Sequence, residues 1–136
     1  MKKNFSLATA AILFGTLFLA SCAKDEDPAP IDGGSSFIGS WRVSETSTDY
    51  PSPSTYNCVI SDSSNASYIL FAYLYGFNKK TYATVSGNSF TIPKQIIQGN
   101  NVSGNGGLTN ANRMDLKYLI QTTGTHYDTV TAVLTK

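Results

Sequence analysis

The sequence predicts an all-β domain over residues 37–136, a single antiparallel meander of about eight strands curled into a small barrel or half-open barrel. Three observations predict it. Tyr, Thr, Val, Ile and Ser dominate this region, residues that fit a pleated, half-buried surface. Apolar and polar side chains alternate with a period of two through most of it. The alternating runs are separated by short Gly, Asn, Ser and Pro turns, so successive strands are neighbours.

The strands follow in order. Residues 40–46 place Trp41 and Val43 on one face and Ser40, Arg42 and Ser44 on the other. Residues 56–61 follow a Pro-Ser-Pro loop and align Tyr56, Cys58 and Ile60. Residues 67–75 are apolar on both faces and form the most buried strand expected, ending at Gly76. Residues 81–86 and 89–92 flank Gly87-Asn88, a two-residue turn able to take positive φ, and form a hairpin. Pro93 cannot donate to a ladder, so it marks a strand end, an edge or a bulge, with residues 94–98 resuming beyond it. A weak sixth strand is supported by Val102 and Leu108 alone, because Gly99, Gly104, Gly106 and Gly107 read as turns. Residues 113–121 turn Met114, Leu116, Tyr118 and Ile120 one way and Arg113, Asp115 and Lys117 the other. Residues 127–135 close the domain after the Thr123-Gly124-Thr125 turn.

A meander of this length avoids exposed edges most simply by closing on itself. Phe37-Ile38-Gly39-Ser40-Trp41 carries a Gly-X-Trp at the first strand. It resembles the opening motif of lipocalin-like barrels, where the Trp plugs the closed end. The chain is shorter than a full lipocalin and has no C-terminal helical pattern. Val85 to Gln95, Val102-Ser103-Gly104-Asn105-Gly106 and Lys117-Tyr118, with a Thr-rich last strand, resemble a family of short Bacteroidetes lipoproteins.

The first residues carry an address. Met1-Lys2-Lys3-Asn4 precedes an apolar run from Phe5 to Ala20 and then Leu19-Ala20-Ser21-Cys22. Charge, apolar core and small residues before a cut site are the parts of a secretory signal, here residues 1–21. The run falls short of the roughly 20 apolar residues that a spanning helix needs. Leu-Ala-Ser-Cys resembles the lipobox, which implies cleavage before Cys22, acylation of its thiol and attachment to a membrane by several acyl chains, at about 0.8 kcal/mol per buried CH₂. Lys24, Asp25 and Glu26 resemble the export signal of surface-exposed Bacteroidetes lipoproteins, which implies an outer-membrane, cell-surface location. Residues 22–36 have almost nothing to bury and read as the lipidated cysteine and a flexible tether.

Composition narrows the function. Two of the ten Lys and Arg residues precede the expected cut, leaving eight basic against nine acidic residues. That near-neutral balance argues against nucleic acid, whose binding rests on clustered cations. With Cys22 acylated, Cys58 is left alone and reads as a small core residue. His126 is the only histidine, so no multi-histidine metal site or imidazole relay is expected, and it reads as a surface or hydrogen-bonded side chain. Asp115 and Asp128 lie on neighbouring strands, but Asp115 faces water beside Arg113 and Lys117, a poor basis for an acid pair. The glycines form no phosphate loop, since no helix follows them. Neither catalysis nor a cofactor is expected.

What remains is aromatic. Tyr68, Phe71, Tyr73, Tyr75 and Phe77 with Tyr82 are the candidate binding residues, able to line a cavity or an exposed face. The same rings would serve simply as barrel core, the more ordinary role for any one of them. Strict alternation puts Tyr73 and Tyr75 with Ile69 and Phe71, and Tyr68 with Leu70, Ala72 and Leu74. The expected function is non-catalytic binding of a glycan, a small apolar molecule or an envelope protein, with a structural or accessory role as the alternative.

Overall fold

The computed structural model describes residues 34–65 and 67–136; the expected signal peptide (1–21), Cys22 and Lys24, Asp25 and Glu26 lie outside the described residues. After a 3₁₀ turn at Ser35–Phe37, eight strands run in sequence: β1 Gly39–Ser47, β2 Ser54–Asp62, β3 Tyr68–Ala72, β4 Thr81–Ser86, β5 Ser89–Ile97, β6 Asn100–Asn110, β7 Arg113–Thr123 and β8 His126–Thr135. Each pairs antiparallel with the next, and β8 returns to β1 to close the barrel. The all-β meander is therefore as its alternation predicts, and the barrel is closed, with no free sheet edge among the described residues.

Eight strands enclose an interior just wide enough for side chains to fill. Trp41, Val43, Cys58, Ile60, Phe71, Phe90, Ile92, Met114, Leu116, Ile120, Val130 and Leu134 are all buried there. One pole is sealed. Trp41 is 1 % exposed, its Nε1 donates to the Phe37 carbonyl at 2.7 Å, and the Lys136 ammonium sits 4.5 Å over its ring. Phe37 meets Phe90 edge-on at 5.5 Å, and Phe90 leans on Phe71 at 5.1 Å. The sequence enters β1 at this pole, so the β1–β2 and β3–β4 loops gather at the opposite one.

Three expectations are corrected. The third strand does not run through Tyr75: it stops at Ala72, and Tyr73 (φ 67°) and Tyr75 (φ 54°) adopt left-handed backbone around a 3₁₀ turn at Leu74–Gly76. Alternation fails there, so Leu74 is buried and Tyr73 is exposed. Next, β6 is a full strand of 11 residues and not a weak one. Gly104, Gly106 and Gly107 lie inside it instead of making turns; of the four glycines only Gly99 is in a turn. A Cβ on Gly104 would collide with the Tyr118 Cβ and lie 2.5 Å from the Lys117 carbonyl, and one on Gly106 would come within 2.6 Å of the Phe90 ring. These glycines give large side chains on the two neighbouring strands, Phe90 on β5 and Tyr118 on β7, their room.

Pro93 sits at a bulge between Ile92 and Gln95, where the β5–β6 register shifts. The β4–β5 ladder covers only Thr84 to Ser86 against Ser89 to Thr91. Beyond it, the Gln95 amide takes the place of a backbone peptide, donating to the Tyr82 carbonyl at 2.8 Å and accepting from the Tyr82 N–H at 3.1 Å.

Candidate functional site

The pole opposite Trp41 holds a cleft of about 630 Å³ lined by residues of β1, the β1–β2 loop, β2 and the Leu74–Gly76 turn, including Glu45, Tyr50, Tyr56 and Tyr75. Its polar side chains reach it by strand register. On β1 the inward positions are Trp41, Val43 and Glu45; on β8 they are Asp128, Val130, Ala132 and Leu134. Each strand thus ends its apolar stripe with a carboxylate at the same pole.

Glu45 is 8 % exposed. Its Oε2 accepts from the Tyr56 hydroxyl at 2.7 Å and from the Tyr118 hydroxyl at 2.8 Å. Both phenols bond to Oε2, no hydrogen bond to Oε1 is present among the described residues, and Glu45 is one of the residues lining the cleft. Burial pushes the carboxyl above its ordinary pKa; the two phenols work against that, and the charge of Asp128 adds to it. Burial and the neighbouring Glu45 charge likewise push Tyr56 and Tyr118 well above the ordinary phenol range, so both remain hydroxyl donors.

Asp128 is the contrasting acid. It is fully buried, yet each oxygen has a donor. Oδ1 accepts from the Thr48 hydroxyl at 2.9 Å and the Asp49 N–H at 3.0 Å, and Oδ2 accepts from the Tyr75 hydroxyl at 2.7 Å. Burial alone would raise its pKa, but the bonds from Tyr75, Asp49, Ser47 and Thr48 prevail and hold it below the usual carboxylate value. Through them it ties the β1–β2 loop and the Leu74–Gly76 turn to β8.

Tyr75 is the hinge of the arrangement. Its N–H donates to the Tyr56 hydroxyl at 2.9 Å while its own hydroxyl donates to Asp128, and its ring packs edge-on to Tyr118 at 6.3 Å. A left-handed backbone costs a non-glycine residue roughly 1 to 2 kcal/mol. These two bonds hold it in place, a pattern that gathers where a fold needs a side chain aimed. At the rim His126 Nε2 lies 2.8 Å from Asp49 Oδ2, the partly exposed hydrogen-bonded role its neighbours predict.

The candidate aromatic residues divide among three places. Tyr75 lines the cleft. Phe71 and Phe77 are buried in the core, with Phe77 5.5 Å from the Tyr75 ring. Tyr68 and Tyr82 meet edge-on at 6.0 Å on the outer wall, and Tyr73 is exposed. They therefore do not form one surface. Asp115 faces out and pairs with Arg113 at 3.2 Å, so it never approaches Asp128. Cys58 is buried, its thiol pushed up to about 12 by that burial. Among the described residues no cluster of His, Cys, Asp or Glu is arranged to hold a metal.

Glu45 is absent from the residues that composition singles out. The signal for it was parity: Glu45 continues the Trp41, Val43 face, and an acid on an inward register at a strand end is a polar group the barrel must accommodate.

No protein-family model matches the chain, and no curated protein matches it in sequence. Two solved structures share the fold. A redesigned β-barrel, b11L5F_LGL, superposes with a TM-score of 0.58 at 12 % identity over 77 % of this chain and 95 % of that one. EF1p2_mFAP2b bound to DFHBI superposes with a TM-score of 0.60 at 12 % identity over 77 % and 97 % of the two chains.

Proposed function

We propose that this protein is a lipid-anchored cell-surface barrel that binds a small molecule or a terminal glycan unit at its open pole and catalyses no reaction. The observation that carries the reading is Glu45: a nearly buried carboxyl lining a tyrosine-rich cleft, with one oxygen held by two tyrosines and no hydrogen bond to the other among the described residues. A carboxyl oxygen free of protein partners at a concave site is a place for a ligand. Tyr50, Tyr56 and Tyr75 supply apolar area with hydroxyls at low entropic cost. A protein of the same fold is bound to DFHBI, so the architecture admits a ligand.

Catalysis is not favoured, because the second acid has no free face. Asp128 is wholly buried and its oxygens are occupied, so it cannot serve Glu45 as a partner acid on a substrate. The lipid anchor rests on the lipobox at Cys22 and the surface location on Lys24, Asp25 and Glu26.

The test screens the mature protein, reconstituted in vesicles, against arrays of glycans and small metabolites, beside a Tyr75→Ser variant. Binding that the variant loses supports the reading; a wild type that captures nothing leaves the structural or accessory role. In cells, Cys22→Ser abolishes fatty-acid labelling if the anchor is as proposed. Replacing Lys24, Asp25 and Glu26 with Ala keeps the label but shields the domain from external protease; unchanged surface exposure would remove the export reading.

A further inference from the structure

We infer that the cleft at the open pole selects a small organic cation, a ligand carrying a primary or methylated ammonium group; the inference rests on the binding reading above. Two buried carboxylates, Glu45 and Asp128, stand at this pole with Asp49 at its rim. The ion pairs among the described residues are Arg113–Asp115, on the outer wall, and His126–Asp49, at the rim; neither involves Glu45 or Asp128. No Lys or Arg lines the cleft. The negative charge inside the mouth therefore has hydrogen bonds but no counter-charge.

An acidic group alone does not define a ligand. Here two further observations do. Glu45 lines the cleft although the residue is only 8 % exposed, and both of its phenol donors bond to Oε2, so its second oxygen is unspent. The walls beside it are the rings of Tyr50, Tyr56 and Tyr75, whose faces carry the partial negative charge that draws ammonium groups. A cation can accordingly meet a carboxylate and aromatic faces together. A neutral sugar would use the rings and hydroxyls but leave the charge uncompensated, and an anion would be repelled. The volume of about 630 Å³ suits a molecule of metabolite size.

Affinity should follow the charge on Glu45. The titratable groups around it are Tyr56 and Cys58 on β2, Tyr118 on β7, Asp128 on β8, Tyr75 on the turn, and Asp49, Tyr50 and His126 at the rim. Tyr56, Tyr75, Tyr118 and Cys58 have pKa values pushed upward and stay neutral, and Asp128 stays ionised. His126 is exposed at the rim, 2.8 Å from Asp49, and a His126→Gln background takes that pair out of the measurement.

The experiment measures calorimetric binding to the full mature protein in nanodiscs of zwitterionic lipid. The probes are choline against its uncharged isostere 3,3-dimethylbutanol, putrescine against 1,4-butanediol, and glucose. The inference expects at least one cation to bind more than tenfold tighter than its isostere, Glu45→Gln to remove that preference while circular dichroism shows an intact fold, and affinity to fall from pH 8 to pH 5 in the His126→Gln background as well. Isosteres binding as well as cations, or Glu45→Gln keeping the preference, would overturn it. Glucose binding without any cation preference overturns the inference and leaves the binding reading standing. A protein that binds none of these probes, nor anything in the arrays above, ends both.

Discussion

Replacing Trp41 with Ala removes the plug of the sealed pole, and the structure sets the size of the loss. The ring is 1 % exposed, so nearly all of its surface leaves water on folding. A buried Trp covers about 150 to 250 Å². At about 25 cal/mol per Å² this comes to roughly 4 to 6 kcal/mol, and compact unfolded chains reduce it. The expected cost is then about 3 to 5 kcal/mol, a large part of the roughly 5 to 15 kcal/mol that holds a small domain together. Trp41→Phe keeps most of the ring but leaves the Phe37 carbonyl without the donor now 2.7 Å away, costing about 1 to 3 kcal/mol. Urea unfolding followed by far-ultraviolet circular dichroism measures both, since Trp41 is the only tryptophan and its fluorescence disappears with it. A Trp41→Ala loss below about 1 kcal/mol would mean that the ring is not packed inside, and the sealed-pole account would fail.

Four further outcomes are expected. Asp128→Ala removes the acceptor of Tyr75, Thr48 and the Asp49 N–H, so it should cost roughly 1.5 to 3 kcal/mol and speed hydrogen exchange in the β1–β2 loop; unchanged exchange would count against the tie. Because its native pKa lies below the ordinary value near 4, the stability Asp128 contributes is present above that value and lost as pH falls through the native one, so wild type and variant should converge under acid. Glu45 has the opposite sign: its native pKa is raised, so Glu45→Gln should be the more stable protein at pH 8, with the gap closing toward pH 4, and equal stability at both values would contradict this. Thr81→Val should raise stability by about 1 kcal/mol, since the Thr81 hydroxyl is buried with no partner among the described residues; a loss measured by urea unfolding would reveal an unrecognised partner. Cys58, buried with its thiol pushed up to about 12, should react with a thiol reagent only at the rate of unfolding, and stoichiometric labelling of the native protein would show otherwise.

The barrel was legible because alternation is a local property and short turns force neighbours to pair. Trp41, Val43, Met114, Leu116, Tyr118 and Ile120 all face inward as their parity requires. The third strand misled because Tyr73 and Tyr75 have strand-forming side chains, whereas bonds to Tyr56 and Asp128, distant in sequence, pull the backbone into a left-handed turn. The Gly-rich sixth strand misled in the opposite way: local propensity speaks for turns, and the reason for glycine is the Tyr118 and Phe90 bulk on other strands. At the site, Glu45 and Asp128 lie 83 positions apart, and only closure of β8 on β1 brings them to one pole. Parity marks each as inward; it does not say that they share a mouth.

The placement of that mouth opposite the pole where the chain enters β1 sets a working height. Strands of 11 residues at about 3.3 Å each, tilted by roughly 35 to 45°, make a barrel roughly 25 to 30 Å tall. If Cys22 holds the protein to a membrane as proposed, the tether leads to the sealed pole, and the cleft lies up to that far beyond it. Charge on a membrane surface is screened over about 8 Å at physiological ionic strength. At such a height anionic headgroups neither concentrate cations around Glu45 nor compete with it for them, so the mouth samples the surrounding medium and not the layer of counterions at the cell's own surface.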